Sequence, residues 1–169
     1  MAELIIFIVF GAMAVAAGIG VIAIRNPVHS ALLLVVNFFC LAVLFLTLSA
    51  EFVAVLQVLV YAGAIMALFL FVIMLLNVAG IFETFADPLR SQRWLAITLG
   101  LGLLAEVTAI AALGVVKLPP SPGPLPHEFG SPASVGLTLY SAYAFPFEAI
   151  SVLLLTAMVG VVVLTKRIS

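Results

Sequence analysis

Phe52 to Leu76 reads FVAVLQVLVYAGAIMALFLFVIMLL, 25 residues in which only Gln57 and Tyr61 carry a side-chain nitrogen or oxygen. At about 1.5 Å per residue a helix of this length extends about 37 Å, enough to cross the roughly 30 Å of bilayer hydrocarbon. A barrel strand would be short and would alternate polar with apolar residues, which this run does not. The segment therefore predicts a transmembrane helix.

Four further runs meet the same criterion: Leu4–Ile24, Val28–Ser49, Trp94–Val116 and Pro146–Thr165. The breaks between them are short. Arg25-Asn26-Pro27 ends the first helix and places proline in the first turn of the second, where its missing N–H does no harm. Ser49-Ala50-Glu51 joins the second and third helices so tightly that they must pack antiparallel. Glu83 to Arg93 is a polar loop carrying Asp87-Pro88. Residues 117–134 are rich in proline, glycine and serine and predict an irregular extramembrane loop. Leu137 to Phe145 is aromatic and moderately apolar, suited to the membrane interface ahead of a fifth helix starting at Pro146.

Composition agrees. Of 169 residues, 66% are hydrophobic and 8% charged, against roughly 45–50% and about 25% in soluble domains. Too few polar side chains remain to cover a water-facing surface. The reading is one all-α, polytopic transmembrane domain of five helices over residues 1–169. The first helix is too long for a signal peptide and has no basic segment ahead of it, so it is read as retained. Arg25, Arg90, Arg93, Lys166 and Arg167 fall on one side of a five-helix chain and Lys117 on the other. The positive-inside rule then puts the C-terminus in the cytoplasm and the N-terminus outside.

Several functions are excluded or left without support. A net charge of −1 lacks the clustered basic face that nucleic acid requires. Cys40 has no second cysteine to pair with, and His29 and His127 lie in different loops, so no metal-ligand spacing arises. No glycine-rich phosphate loop or nucleophile elbow occurs. The chain taken alone carries no recognisable catalytic machinery and no cofactor site.

Polar groups inside the membrane remain to be explained. Tyr61 falls near the middle of the third helix. Gln57 lies four residues earlier on the same face, and Glu51 stands at the outer end. Gly63 with Ala67 forms a small-xxx-small pair that admits a neighbouring helix, and glycine tolerates departures from regular helix. Two readings stand: Gln57 and Tyr61 hydrogen-bond a neighbouring helix, or they mark a polar, deformable point where water or a proton passes. Glu106, near the centre of the fourth helix, costs roughly 2.5–3.5 kcal/mol as a charge. It is protonated, paired with another subunit, or turned to a hydrated cavity. Glu148 reads as a carboxylate in the first turn of the fifth helix, favoured by the helix dipole. Asn37 reads as an interhelical hydrogen-bonder. Small residues of the first helix, Ala14 with Gly18 and Ala16 with Gly20, suggest packing on more than one side.

The run from Gln57 to Asn77, together with Arg25-Asn26-Pro27-Val28-His29-Ser30-Ala31 and Pro146-Phe147-Glu148-Ala149-Ile150-Ser151 through Met158-Val159-Gly160, resembles the J subunit (chain 10 in another scheme) of respiratory complex I, the proton-pumping NADH:quinone oxidoreductase. The resemblance covers the first, second, third and fifth helices in order. It implies a bacterial inner-membrane subunit of five helices that binds no cofactor. NADH, FMN, iron–sulfur clusters and quinone would belong to other subunits, and the neighbours would be the K and H subunits, with A and N. It also implies that the third helix forms a π-bulge around Tyr61 reversibly, gating a water path between the quinone site and the pumps. By that resemblance Tyr61 is the gate residue, Gly63 part of the deformable turn, and Gln57 and Glu51 line the same helix. Whether the bulge forms is not legible in the sequence. Two other functions fit the same residues less closely: a self-contained proton channel and a passive membrane scaffold.

Overall fold

A computed structural model describes residues 1–76, 93–112 and 128–166. The polar segment before Arg93, the end of the fourth span beyond residue 112, most of the 117–134 loop and Arg167 lie outside the described residues. All regular structure among the described residues is helical: α1 (Ala2–Ala23), α2 (Pro27–Thr47), α3 (Glu51–Leu76), α4 (Arg93–Ala112), α5 (Pro132–Ala142) and α6 (Ala144–Thr165). Helices α1, α2, α3 and α6 are long and apolar enough to cross a membrane. The apolar part of α4 is the shorter stretch Trp94–Ile110. Four described helices thus have the length and composition of a span, and α4 has a shorter apolar stretch.

Each corner has a local cause. Asn26 Oδ1 accepts hydrogen bonds from the amides of Val28 (3.0 Å) and His29 (3.4 Å), capping α2 behind Pro27. Such a cap satisfies amides that the first helical turn leaves without partners. Ser30 Oγ donates to the Val21 carbonyl at 2.7 Å, tying α2 back to α1. Helix α2 ends in a Schellman turn: the Ser49 amide donates to Leu46 O and the Ala50 amide to Phe45 O, each at 3.0 Å. Ser49 takes the left-handed position of that turn, with φ 58°, where glycine is usual.

The core lies between α1, α2 and α3 and is built from small side chains. Ala17, Ala31, Cys40, Ala42 and Ala54 are buried, with Gln57 and Met66, and no large side chain among the described residues is fully enclosed. This is how membrane helices associate: with lipid as apolar as leucine, close backbone approach supplies the attraction. On α1 the contact runs through Ala17 and Gly20, where a Cβ would come within 2.7 Å of Leu33 Cδ1. Ala16 points away and is exposed.

Two boundaries around the last span differ from the sequence reading in ways that bear on named residues. The stretch before Ser134 is not wholly irregular, because α5 begins at Pro132. Ser131 Oγ caps it by accepting from the Ser134 amide at 3.3 Å, and a proline in the first turn needs no N–H partner. Helix α6 begins at Ala144, two residues before Pro146. Proline is tolerated there because the leading amides of a helix have no intrahelical acceptor. Glu148 therefore lies beyond the first turn, and no acidic residue occupies that turn. The dipole reading of Glu148 is corrected accordingly, since the effect fades within one turn. Tyr140 and Phe147 meet edge to face at 5.0 Å and hold α5 to α6.

Candidate functional site: the π-helical segment of α3

Helix α3 changes its hydrogen-bond register part-way along. Glu51–Leu56 is α-helical, Gln57–Ile65 is π-helical over nine residues, and Met66–Leu76 is α-helical again. The Gln57 amide is shared between the Ala54 and Val53 carbonyls, three and four residues back. The Met66 amide is shared between the Gly63 carbonyl, three residues back, and the Tyr61 carbonyl, five residues back. Runs of π-helix are rare, and they recur at functional sites because the wider turn is less stable than the α-helix it replaces.

Gly63 suits this turn. A Cβ there would lie 3.3 Å from Val58 O, tighter than an ordinary contact. The crowding atom is five residues back, so it is the wide turn that places it there.

Burial shows what the segment does to packing. Gln57 is 8% exposed and Met66 2%, and α2 is the helix against which both halves of α3 and the π segment pack. Tyr61 is 48% exposed. Its ring meets Phe38 of α2 edge to face, with centroids 5.6 Å apart and planes at 64°. The phenol thus has one side fixed by an aromatic contact and the other side open.

The structure brings Gln57, Tyr61 and Gly63 into this one segment, with Glu51 exposed at the first position of the same helix. Asn37, half-buried on α2 beside Phe38, makes no hydrogen bond to another described residue. Glu106 is exposed on α4 and Glu148 on α6, and neither helix packs appreciably against the π segment among the described residues. Phe38, Met66 and Gly130 carry no individual signal in the sequence. Phe and Met are unremarkable in an apolar run, and nothing in the 117–134 loop signals which turn it meets.

Helix α3 thus carries a buried glutamine, a half-exposed tyrosine and a glycine within one wide turn. In comparison with known protein families, residues 17–164 match the model of NADH-ubiquinone/plastoquinone oxidoreductase chain 6. The chain belongs to that family. Among its relatives, NADH-quinone oxidoreductase subunit J of Rhodobacter capsulatus is 37% identical over 95% of this chain and 80% of the relative. Subunit J of Pseudomonas aeruginosa is 37% identical over 88% and 87%. NAD(P)H-quinone oxidoreductase chain 6 of Leptolyngbya boryana is 34% identical over 98% and 80%. The chain 6 family match spans α1 from Ala17 onward and nearly all of α6, so the π-helical segment lies well inside it.

Proposed function

We propose that this chain is a membrane subunit of the proton-pumping NADH:quinone oxidoreductase, complex I, and that α3 acts there as a gate linking quinone reduction to proton movement. The observation that carries this reading is the π-helical Gln57–Ile65 with Tyr61 half-open at its centre. Nine residues make about 2.5 turns of α-helix but only about two turns of π-helix. Relaxation to α-helix would rotate Met66–Leu76 by roughly half a turn relative to Glu51–Leu56. Met66 would leave the α2 interface and a different side chain would enter it. This makes α3 a two-state element, and a distant site biases it by favouring one register over the other. With Tyr61 half-exposed in this register, its hydroxyl would join a chain of water, and rotation below it would break the chain.

Quinone chemistry takes place on other subunits, which also bind NADH, FMN and the iron–sulfur clusters, and this chain supplies no redox centre. The whole chain works as one membrane domain of five helices in a bacterial inner membrane, N-terminus outside and C-terminus cytoplasmic. The exposed faces of α4 and α6 would be covered by lipid and by other subunits, chiefly K and H, with A and N. Glu106 would take a hydrogen-bonding partner from such a neighbour.

Tagged purification from native membranes in mild detergent tests the assembly. The chain should co-purify with a large complex active in NADH:quinone reduction. Recovery alone or as a homo-oligomer would favour a self-contained channel. Tyr61→Phe in the assembled complex tests the gate. Normal turnover together with a normal proton yield would sink the gate and leave a passive scaffold.

A further inference from the structure

Helix α3 starts without a side-chain cap. Its N-cap residue is Ala50, which has no side-chain acceptor to offer. The acceptor comes instead from a distant part of the chain, where the Gly130 carbonyl takes a hydrogen bond from the Phe52 amide at 3.0 Å. Gly130 has φ 75°, a left-handed conformation that costs a side-chain-bearing residue energy. It also sits against the α2–α3 corner. A Cβ there would overlap the Ser49 carbonyl oxygen and lie 3.0 Å from the Ser49 carbonyl carbon and 3.1 Å from Ala50 Cα. These are backbone atoms that have little room to yield. Ser131 follows as the cap of α5, so the tie runs from the start of α3 through one turn into a second helix.

We propose that Gly130 is a positioning residue for α3, holding its Glu51–Leu56 end fixed so that any change of register at Gln57–Ile65 turns only the Met66–Leu76 half. The idea rests on the gate reading above. A helix whose hydrogen-bond register changes in the middle must rotate at one end, and which end rotates depends on which end is held. The described contacts hold the first end twice: by the Schellman turn that closes α2 and by the Gly130 tie. Gly130 acts through the backbone of Phe52 and touches no reacting group.

The test uses the assembled complex in its membrane. Spin labels on bioorthogonal amino acids are placed at the exposed positions Val36 and Val53 in one strain and Val36 and Leu75 in another. Distances are measured as isolated and during turnover with NADH and quinone. The Val36–Val53 pair is expected to give one distance in both conditions, and the Val36–Leu75 pair two. In Gly130→Ala the Val36–Val53 pair gains a second distance, and protons moved per NADH fall more than NADH oxidation does. Adding Ala50→Asp, a local cap, does not restore the single distance, because it replaces the acceptor but not the tether. A second Val36–Val53 distance in the native complex overturns the proposal, and so does an unchanged pair in Gly130→Ala or full rescue by Ala50→Asp. If Gly130→Ala fails to assemble, the native Val36–Val53 pair decides alone. A Val36–Leu75 pair that never changes in the native complex refutes the gate instead, a different result from any of these.

Discussion

Gln57 and Met66 are nine residues apart in α3 and are both buried, at 8% and 2% exposure, in segments that pack against α2. In an α-helix nine residues span about 2.5 turns, so the two side chains would point to opposite faces. The π segment between them restores a shared face. The packing of α2 against α3 thus depends on a backbone register, and that register is the property a gate would change.

Replacing Met66 with alanine should loosen the lower half of this interface. A buried methionine truncated to alanine costs about 2–5 kcal/mol in a well-packed core. The expected outcome is greater protease sensitivity and faster hydrogen exchange of the Met66–Leu76 amides in the assembled complex, with Glu51–Leu56 unaffected. Equal loosening of both halves would mean that the two do not move independently.

Gly63→Ala should shift α3 toward α-helix. The added Cβ would crowd Val58 O in the wide turn, and alanine favours α-helix over glycine by about 0.8–1 kcal/mol. The expected result is a loss of the Met66-to-Tyr61 hydrogen bond, visible as altered exchange at the Met66 amide, and lower coupled turnover. An unchanged register would show that packing against α2, rather than local backbone preference, holds the π segment.

Tyr61→Phe preserves the edge-to-face contact with Phe38 and removes only the hydroxyl. Assembly and helix packing should survive. Coupled quinone reduction should fall roughly 2- to 10-fold, the range given by about 0.5–1.4 kcal/mol of lost coupling. Tyr61→Ala, which also removes the ring, should in addition weaken α2–α3 packing. Thermal stability of the purified complex separates the two effects.

Glu106 stands mid-helix on the exposed α4. If a neighbouring subunit supplies its partner, Glu106→Gln should keep the complex assembled, because the amide retains an acceptor. Glu106→Leu should improve membrane insertion of α4 by roughly 2.5–3.5 kcal/mol and yet reduce assembly on native gels. Equal assembly of both variants would assign Glu106 to a hydrated cavity rather than to an interface.

The corner between α1 and α2 offers a stability measurement without a functional component. Asn26→Ala removes the acceptor for the Val28 and His29 amides and should cost about 1 kcal/mol. Turnover of the intact complex should not change.

Much of this architecture is legible in the residues themselves. Long apolar runs announce membrane helices because unpaired backbone groups have no place in hydrocarbon, and Arg25-Asn26-Pro27 and Ser49-Ala50-Glu51 mark corners through their local chemistry. Tyr61, Gln57 and Gly63 were recognisable as unusual because polar and flexible residues are costly in the middle of such a run. The family resemblance points to the same three and to Glu51.

What the residues could not determine is which hydrogen-bond register α3 adopts, because α and π turns use the same side chains and differ by contacts made with α2. Only the tertiary structure puts Gln57 and Met66 on one face, sets the Tyr61 ring on Phe38, and draws Gly130 against Ser49 and Phe52. Local chemistry acts over one turn of helix and is written in neighbouring residues. The Gly130 tie joins positions about 80 apart in the chain, and a partner at that separation is chosen by packing.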